Sequence, residues 1–118
     1  MGAWGVDIQS NDTYMDIRAD FYDMLNEGLD VKHTSDRLIK NNQDLIDDPD
    51  DANNFWFALA KAQWECKQLD AELLKQVEEI ITSGDDILVW RNLGADEDTI
   101  TKRKDALEKF LAQLKAEQ

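Results

Sequence analysis

Residues 52–67, ANNFWFALAKAQWECK, carry apolar side chains on nearly every side of the helix that they would form. Phe55, Trp56 and Phe57 alone cover three successive positions about 100° apart. Leu59, Ala60, Ala62 and Trp64 fill most of the remaining circumference. A helix that is apolar all round is buried among other elements. We therefore predict that this helix forms the centre of an all-α fold.

Four other segments show apolar residues three and four positions apart, which is the spacing of one helix face. These predicted helices span residues 12–27, 31–46, 70–82 and 97–116. Gly28, Gly84 and Gly94 lie where helices end, and Pro49 cannot continue the helix before it. The short segment 87–93 is predicted to be a turn that inserts Ile87, Leu88 and Trp90 into the core. The mixed polar face predicted for helix 97–116 includes Lys102, Arg103, Lys104, Asp105, Glu108 and Lys109.

The whole chain, residues 1–118, is therefore predicted to be one all-helical domain, a compact bundle of about five helices. Trp4, Val6 and Ile8 alternate, which predicts a short extended segment before the first helix. Carboxylates stand at the predicted helix starts, where a side-chain oxygen caps free backbone N–H groups. The expected caps are Asp30 for helix 31–46, Asp50 or Asp51 for the central helix, and Asp85 and Asp86 for the short turn.

The chain is strongly acidic, with 26 Asp and Glu against 13 Lys and Arg and a net charge of −13. Most of the excess lies in residues 1–51, which hold 13 acids and 4 bases. Such a protein repels nucleic acid and anionic membranes and attracts basic partners. We therefore expect a basic protein partner and no direct nucleic-acid binding or membrane association.

Acidic residues form a stripe along the first predicted helix, at spacings of four, four, three and four. The members of this acidic stripe are Asp12, Asp16, Asp20, Asp23 and Glu27. They fall within about 80° of arc, opposite the apolar face of the helix. A second acidic group, the acidic loop, consists of Asp47, Asp48, Asp50 and Asp51. Both groups are candidate partner-binding residues, and the alternative is a solvated face that only keeps the protein dissolved.

The residue inventory argues against an enzyme. His33 is the only histidine and Cys66 the only cysteine, and the sequence has no P-loop or glycine fingerprint. We interpret Cys66 as a small core residue and His33 as a surface residue. The acidic loop lacks the sixth-position Gly and the closing Glu of a calcium-binding EF-hand. No catalytic residue, cofactor or metal site is predicted.

The opening of the chain bears on location and origin. It has no basic and apolar leader, and no uncharged stretch approaches the length of a membrane span, so a cytoplasmic protein is expected.

Met1-Gly2-Ala3-Trp4-Gly5 resembles the signature that opens a family of small bacterial proteins of unknown function. The segments that fit the longer members of that family are residues 27–29, 37–39, 55–60, 63–64 and 81–84. The resemblance implies a bacterial source and a helical domain, and it brings no catalytic residues.

Small size, acidity and missing catalytic motifs together predict a non-enzymatic binding protein. The specific hypothesis is an immunity protein that neutralises a basic, nuclease-type toxin domain in bacterial competition. One alternative is a regulator that mimics nucleic acid and occupies a DNA-binding protein. Another is a housekeeping or scaffold protein that self-associates through the last helix. The sequence also leaves a docking surface around the helix 31–46 as an alternative, and it does not determine the oligomeric state.

Overall fold

The structure, a computed structural model, describes residues 12–48 and 51–116. In this part of the chain it contains seven α-helices and no strand. They are α1 (Asp12–Asn26), α2 (Val31–Asn41), α3 (Gln43–Asp47), α4 (Ala52–Glu65), α5 (Ala71–Ser83), α6 (Asp85–Asn92) and α7 (Glu97–Ala116). The all-α class is confirmed, while the prediction of about five helices is wrong. The predicted extended segment at Trp4–Ile8 lies outside the described residues.

Asn42 divides the segment predicted as one helix into α2 and α3. Its backbone leaves the helical region, at φ −121° and ψ 33°. Its side-chain Nδ2 donates to the Leu38 carbonyl oxygen at 2.8 Å, and its backbone N–H donates to the same oxygen at 3.1 Å. Asparagine side chains compete with the backbone for hydrogen bonds in this way. The helix therefore ends, and a new one begins at Gln43.

The segment predicted as a turn after Gly84 is a helix of eight residues, α6. Ile87 is buried, but Leu88 is 57% exposed, so the predicted insertion of Leu88 into the core is wrong. The inner face of α6 is occupied by Asp86 and Ile87. Since successive helical residues lie about 100° apart, Leu88 falls on the far side from Asp86.

The apolar helix α4 lies at the centre of the bundle, as predicted. Phe55, Phe57 and Leu59 are at most 1% exposed. Helices α1, α3, α5 and α7 all pack against α4, and α1 makes the most extensive contact. The half-buried indoles of Trp56, Trp64 and Trp90 pack against the same core.

Several predicted helix ends are confirmed. The Asp30 carboxylate accepts a hydrogen bond from the His33 backbone N–H at 2.7 Å, and Gly28 has a φ of +105°, which favours glycine. Asp51 occupies the N-cap position of α4, one of the two positions predicted, but its side chain makes no capping bond and accepts from the Thr13 hydroxyl at 3.2 Å. The alternative cap, Asp50, lies outside the described residues. The cap predicted at Asp86 is wrong. Asp86 lies inside α6 with its carboxylate buried.

Candidate partner-binding surface

The acidic stripe lies on the solvent side of α1. Tyr14, Ile17 and Phe21 form the buried face of this helix, and all five acidic residues of the stripe are exposed. Within the described residues, no Lys or Arg forms an ion pair with any of them. The helix has 15 residues, so the stripe is a row of uncompensated negative charge about 22 Å long.

Arg18, the only base of α1, points away from the stripe and binds Glu65 of α4. Its Nε and one terminal nitrogen donate to the two Glu65 oxygens, each at 3.2 Å. The Tyr22 hydroxyl donates to the same carboxylate at 2.9 Å. The hydrogen bond to Glu65 raises the pKa of Arg18 above its usual value. The charge of Arg18 is thus used to hold α1 on α4, and it does not offset the stripe.

The end of the acidic loop adjoins the beginning of α1. The Thr13 hydroxyl donates to the Asp51 carboxylate, which links the two predicted groups of acids. Asp47 and Asp48 are exposed, Asp51 is half-buried, and Asp50 lies outside the described residues. The Asp51 side chain is therefore engaged within the protein.

The opposite end of the stripe is electrostatically unfavourable for α1. The C-terminal end of a helix carries partial negative charge and favours basic residues. The last turn of α1 has no basic residue, Asp23 lies within it, and Glu27 follows directly. Acids three or four positions apart also repel one another by about 0.2–0.5 kcal/mol per pair. The stripe therefore destabilises the free protein.

The residues considered for chemistry are poorly arranged for it. The His33 ring is exposed, as predicted, and its Nδ1 lies 2.7 Å from the Asp30 carboxylate. Cys66 follows α4 and is half-buried, and burial raises the pKa of its thiol, which disfavours the reactive thiolate. Within residues 12–48 and 51–116, no group of three or more His, Cys, Asp or Glu side chains is positioned to hold a metal ion.

Two buried bases were not anticipated from the sequence. Lys61 is 5% exposed; its Nζ donates to the Gln113 side chain at 2.8 Å and lies 4.3 Å from the centroid of the Trp64 ring. Arg103 is only 1% exposed, so the prediction that placed it on the polar face of the last helix is wrong. The spacing of the residues could have indicated that Arg103 is buried. It lies three residues after Ile100 and four before Leu107, on the same helix face as the apolar residues.

No family model, curated protein or solved structure matches this chain. Among the helices that the structure describes, none is both long enough and apolar enough to cross a membrane.

Proposed function

We propose that this chain is a non-enzymatic binding protein that uses the acidic stripe of α1 to dock a basic protein. The partner that fits best is a nuclease-type toxin domain, and the chain would then be its immunity protein. The observation that carries the proposal is the row of five exposed carboxylates, four on α1 and one directly after it, beside which the only base of α1 is bound elsewhere. Bacterial origin, which the resemblance of the opening pentapeptide implies, is part of the same proposal.

The electrostatic cost of the stripe supports a binding role. Like charges on α1 repel one another in the free protein, and a basic partner would replace this repulsion by attraction. A nuclease presents basic residues because it must hold phosphates, so its surface is complementary to the stripe. Complementary charge also speeds the encounter of two proteins and disfavours wrong partners. A purely solubilising role does not require the acids to gather on one arc of one helix.

The test is co-expression of the chain with the basic proteins encoded beside its gene, followed by purification at low salt. We expect one of them to co-purify, to lose its nuclease activity in the complex, and to dissociate faster as the salt concentration rises. The variant Asp16→Asn/Asp20→Asn/Asp23→Asn removes three charges from the stripe and should weaken binding at least about three-fold, since each rim charge contributes about 0.2–1 kcal/mol.

The matched control removes three exposed, unpaired acids from other helices, Glu79→Gln/Asp85→Asn/Glu108→Gln. It changes the net charge by the same amount and should retain most of the affinity. Equal loss in both variants would mean that only the total charge matters. Absence of any basic partner at low salt would defeat the proposal.

A second candidate function is mimicry of nucleic acid. Acids four residues apart on α1 rise by about 6 Å along the helix, close to the spacing of phosphates along a strand. Such a regulator would occupy the DNA groove of its target. The test is a binding competition between DNA and this protein for the same target. If DNA displaces the protein from a target that is not a nuclease, mimicry is favoured over the immunity function.

A further inference from the structure

A cleft of about 510 Å³ separates α2 from α4 and α5. Helix α2 packs chiefly on α1 and more sparsely on the central helix α4. Trp56, Leu59 and Gln63 of α4 form its floor. Ile39 and Val31 of α2 contribute apolar surface to one wall, and Leu73 of α5 contributes to the other.

A chain of hydrogen bonds joins four of the residues that line this cleft. The Asp70 backbone N–H donates to Gln63 Oε1 at 2.9 Å, and Gln63 Nε2 donates to the Ser35 hydroxyl at 2.8 Å. The Ser35 hydroxyl in turn donates to the Val31 carbonyl oxygen at 2.8 Å. Gln63 is 6% exposed, so the three helices are held together by a buried polar network whose hydrogen-bonding groups are largely satisfied. These hydrogen bonds hold that part of the lining in place.

The charges at the rim of the cleft are predominantly negative. Asp36, Asp70 and Glu72 line it together with one base, Lys32. Lys32 already forms an ion pair with Asp36 at 3.3 Å. Among the described residues no Lys or Arg pairs with Asp70 or Glu72, although Asp70 also caps α5 by accepting from the Leu73 N–H at 3.2 Å. Asp70 and Glu72 therefore carry the negative charge of the rim that no basic side chain of the described residues pairs with.

The shape and lining of the cleft restrict what it can hold. Its volume falls in the range of about 300–1,000 Å³ that is typical of small-molecule sites. Along α2 it runs only from Val31 to Ile39, about 12 Å, which is too short for a protein interface of about 800 Å² per partner. The Trp56 indole contributes a large aromatic surface, which suits an apolar body.

The cleft is distinct from the acidic stripe. Glu65, which holds Arg18 of α1, lies about 200° around α4 from Gln63 on the cleft floor. The two surfaces therefore lie on different sides of the central helix, and an occupant of the cleft does not depend on the partner of the stripe.

We infer that this cleft binds a small organic cation, an ammonium or guanidinium group carried on an aromatic or aliphatic body. The apolar body lies on the floor formed by Trp56 and Leu59. The positive group lies at the rim, toward Asp70 and Glu72. An anionic ligand of the same size is excluded by the same two carboxylates.

The test is titration of the full-length ¹⁵N-labelled protein with phenethylammonium, followed by NMR. We expect shifts concentrated on the Gln63 side-chain amide and the Leu73 backbone amide, with a dissociation constant of about 1 mM or lower for so small a probe. Phenylpropionate has a similar body with the opposite charge and should bind at least about ten-fold more weakly, since like charges repel.

N-acetylarginine amide distinguishes the source of the cation. Binding as strong as that of phenethylammonium indicates a peptide-borne guanidinium, and much weaker binding indicates a free amine.

The variant Asp70→Asn/Glu72→Gln removes the two rim charges and should weaken phenethylammonium binding about five-fold. Asparagine keeps the N-cap of α5, so the fold is retained, which circular dichroism checks. The control Glu79→Gln/Glu108→Gln removes two exposed acids that do not line the cleft and should bind as the unchanged protein does. The inference is overturned by absence of shifts in the cleft up to about 10 mM probe. It is equally overturned by equal binding of phenylpropionate, or by unchanged affinity in the rim variant.

Discussion

Arg103 of α7 and Asp86 of α6 form a bidentate ion pair inside the protein, with side chains only 2% and 3% exposed. Arg103 Nε lies 2.8 Å from Asp86 Oδ2, and a terminal nitrogen lies 3.2 Å from Oδ1. The guanidinium carbon also lies 4.8 Å from the Trp90 ring centroid and 5.9 Å from that of Phe57. One arginine therefore joins α6 and α7 to the central helix α4.

Removing the acid of this pair should strongly destabilise the fold. Asp86→Ala leaves the Arg103 charge buried without its carboxylate, which costs about 3–5 kcal/mol of unfolding free energy. Urea unfolding followed by circular dichroism measures this loss. Lys109→Ala breaks the exposed pair with Asp105 and should cost less than about 0.5 kcal/mol. Replacing both buried partners, as Asp86→Leu/Arg103→Met, should recover much of the lost stability. If Asp86→Ala is as stable as the parent, the buried pair is contradicted.

Neutralising part of the acidic stripe should stabilise the free protein. Asp20→Asn/Asp23→Asn removes three like-charge pairs from α1, for a gain of about 1 kcal/mol. Asp12→Asn is the control within the same stripe, because an acid at the beginning of a helix is favourable and its loss should bring no gain. Thermal unfolding at low salt measures both, and added salt should shrink the difference. A fall in the midpoint for the double variant would show that these acids have a structural role.

Gln63 should contribute to stability through its buried hydrogen bonds. Gln63→Leu keeps the size of the side chain but leaves the Asp70 N–H without its acceptor, at a cost of about 1–3 kcal/mol. Gln68→Leu, at an exposed position on the same cleft, is the control and should change stability little. Faster hydrogen exchange at the Asp70 amide should accompany the loss in Gln63→Leu. An unchanged exchange rate there would mean that Gln63 does not hold the start of α5.

Tyr22 should make stability fall at alkaline pH. Burial and the hydrogen bond to Glu65 raise the pKa of Tyr22 from 10.0 to about 12. Between these two values the folded protein keeps a proton that the unfolded chain has lost, so stability decreases as pH rises through this window. Tyr22→Phe should show a shallower decrease over the same range. Ultraviolet absorbance should detect a late tyrosine ionisation that disappears in Tyr22→Phe. If the ionisation lost in Tyr22→Phe instead lies near pH 10.0, the contact with Glu65 is contradicted.

The helices that bury one continuous face were predictable from spacing alone. Tyr14, Ile17 and Phe21 of α1 recur at three and four residues, and the structure buries all three. The exposed acids of α1 follow from the same rule, because they occupy the opposite arc. The break at Asn42 was less visible, since it depends on a side chain that bonds the backbone in place of the next helical turn. The helix α6 was missed because its inner face includes a carboxylate, Asp86, which only a distant arginine makes tolerable.

The sequence by itself determined that the chain is helical, that residues 52–67 are central, and that the five acids of the stripe lie opposite the apolar face of the first helix. These properties depend on the period of one helix, which neighbouring residues specify. Only the tertiary structure decided that Arg103 meets Asp86 and that Gln63 joins Ser35 to Asp70. Such contacts join side chains on different helices, and their geometry depends on how those helices pack. The cleft between α2 and α5 has the same origin, because a gap between helices is a property of their arrangement and leaves no local pattern in the sequence.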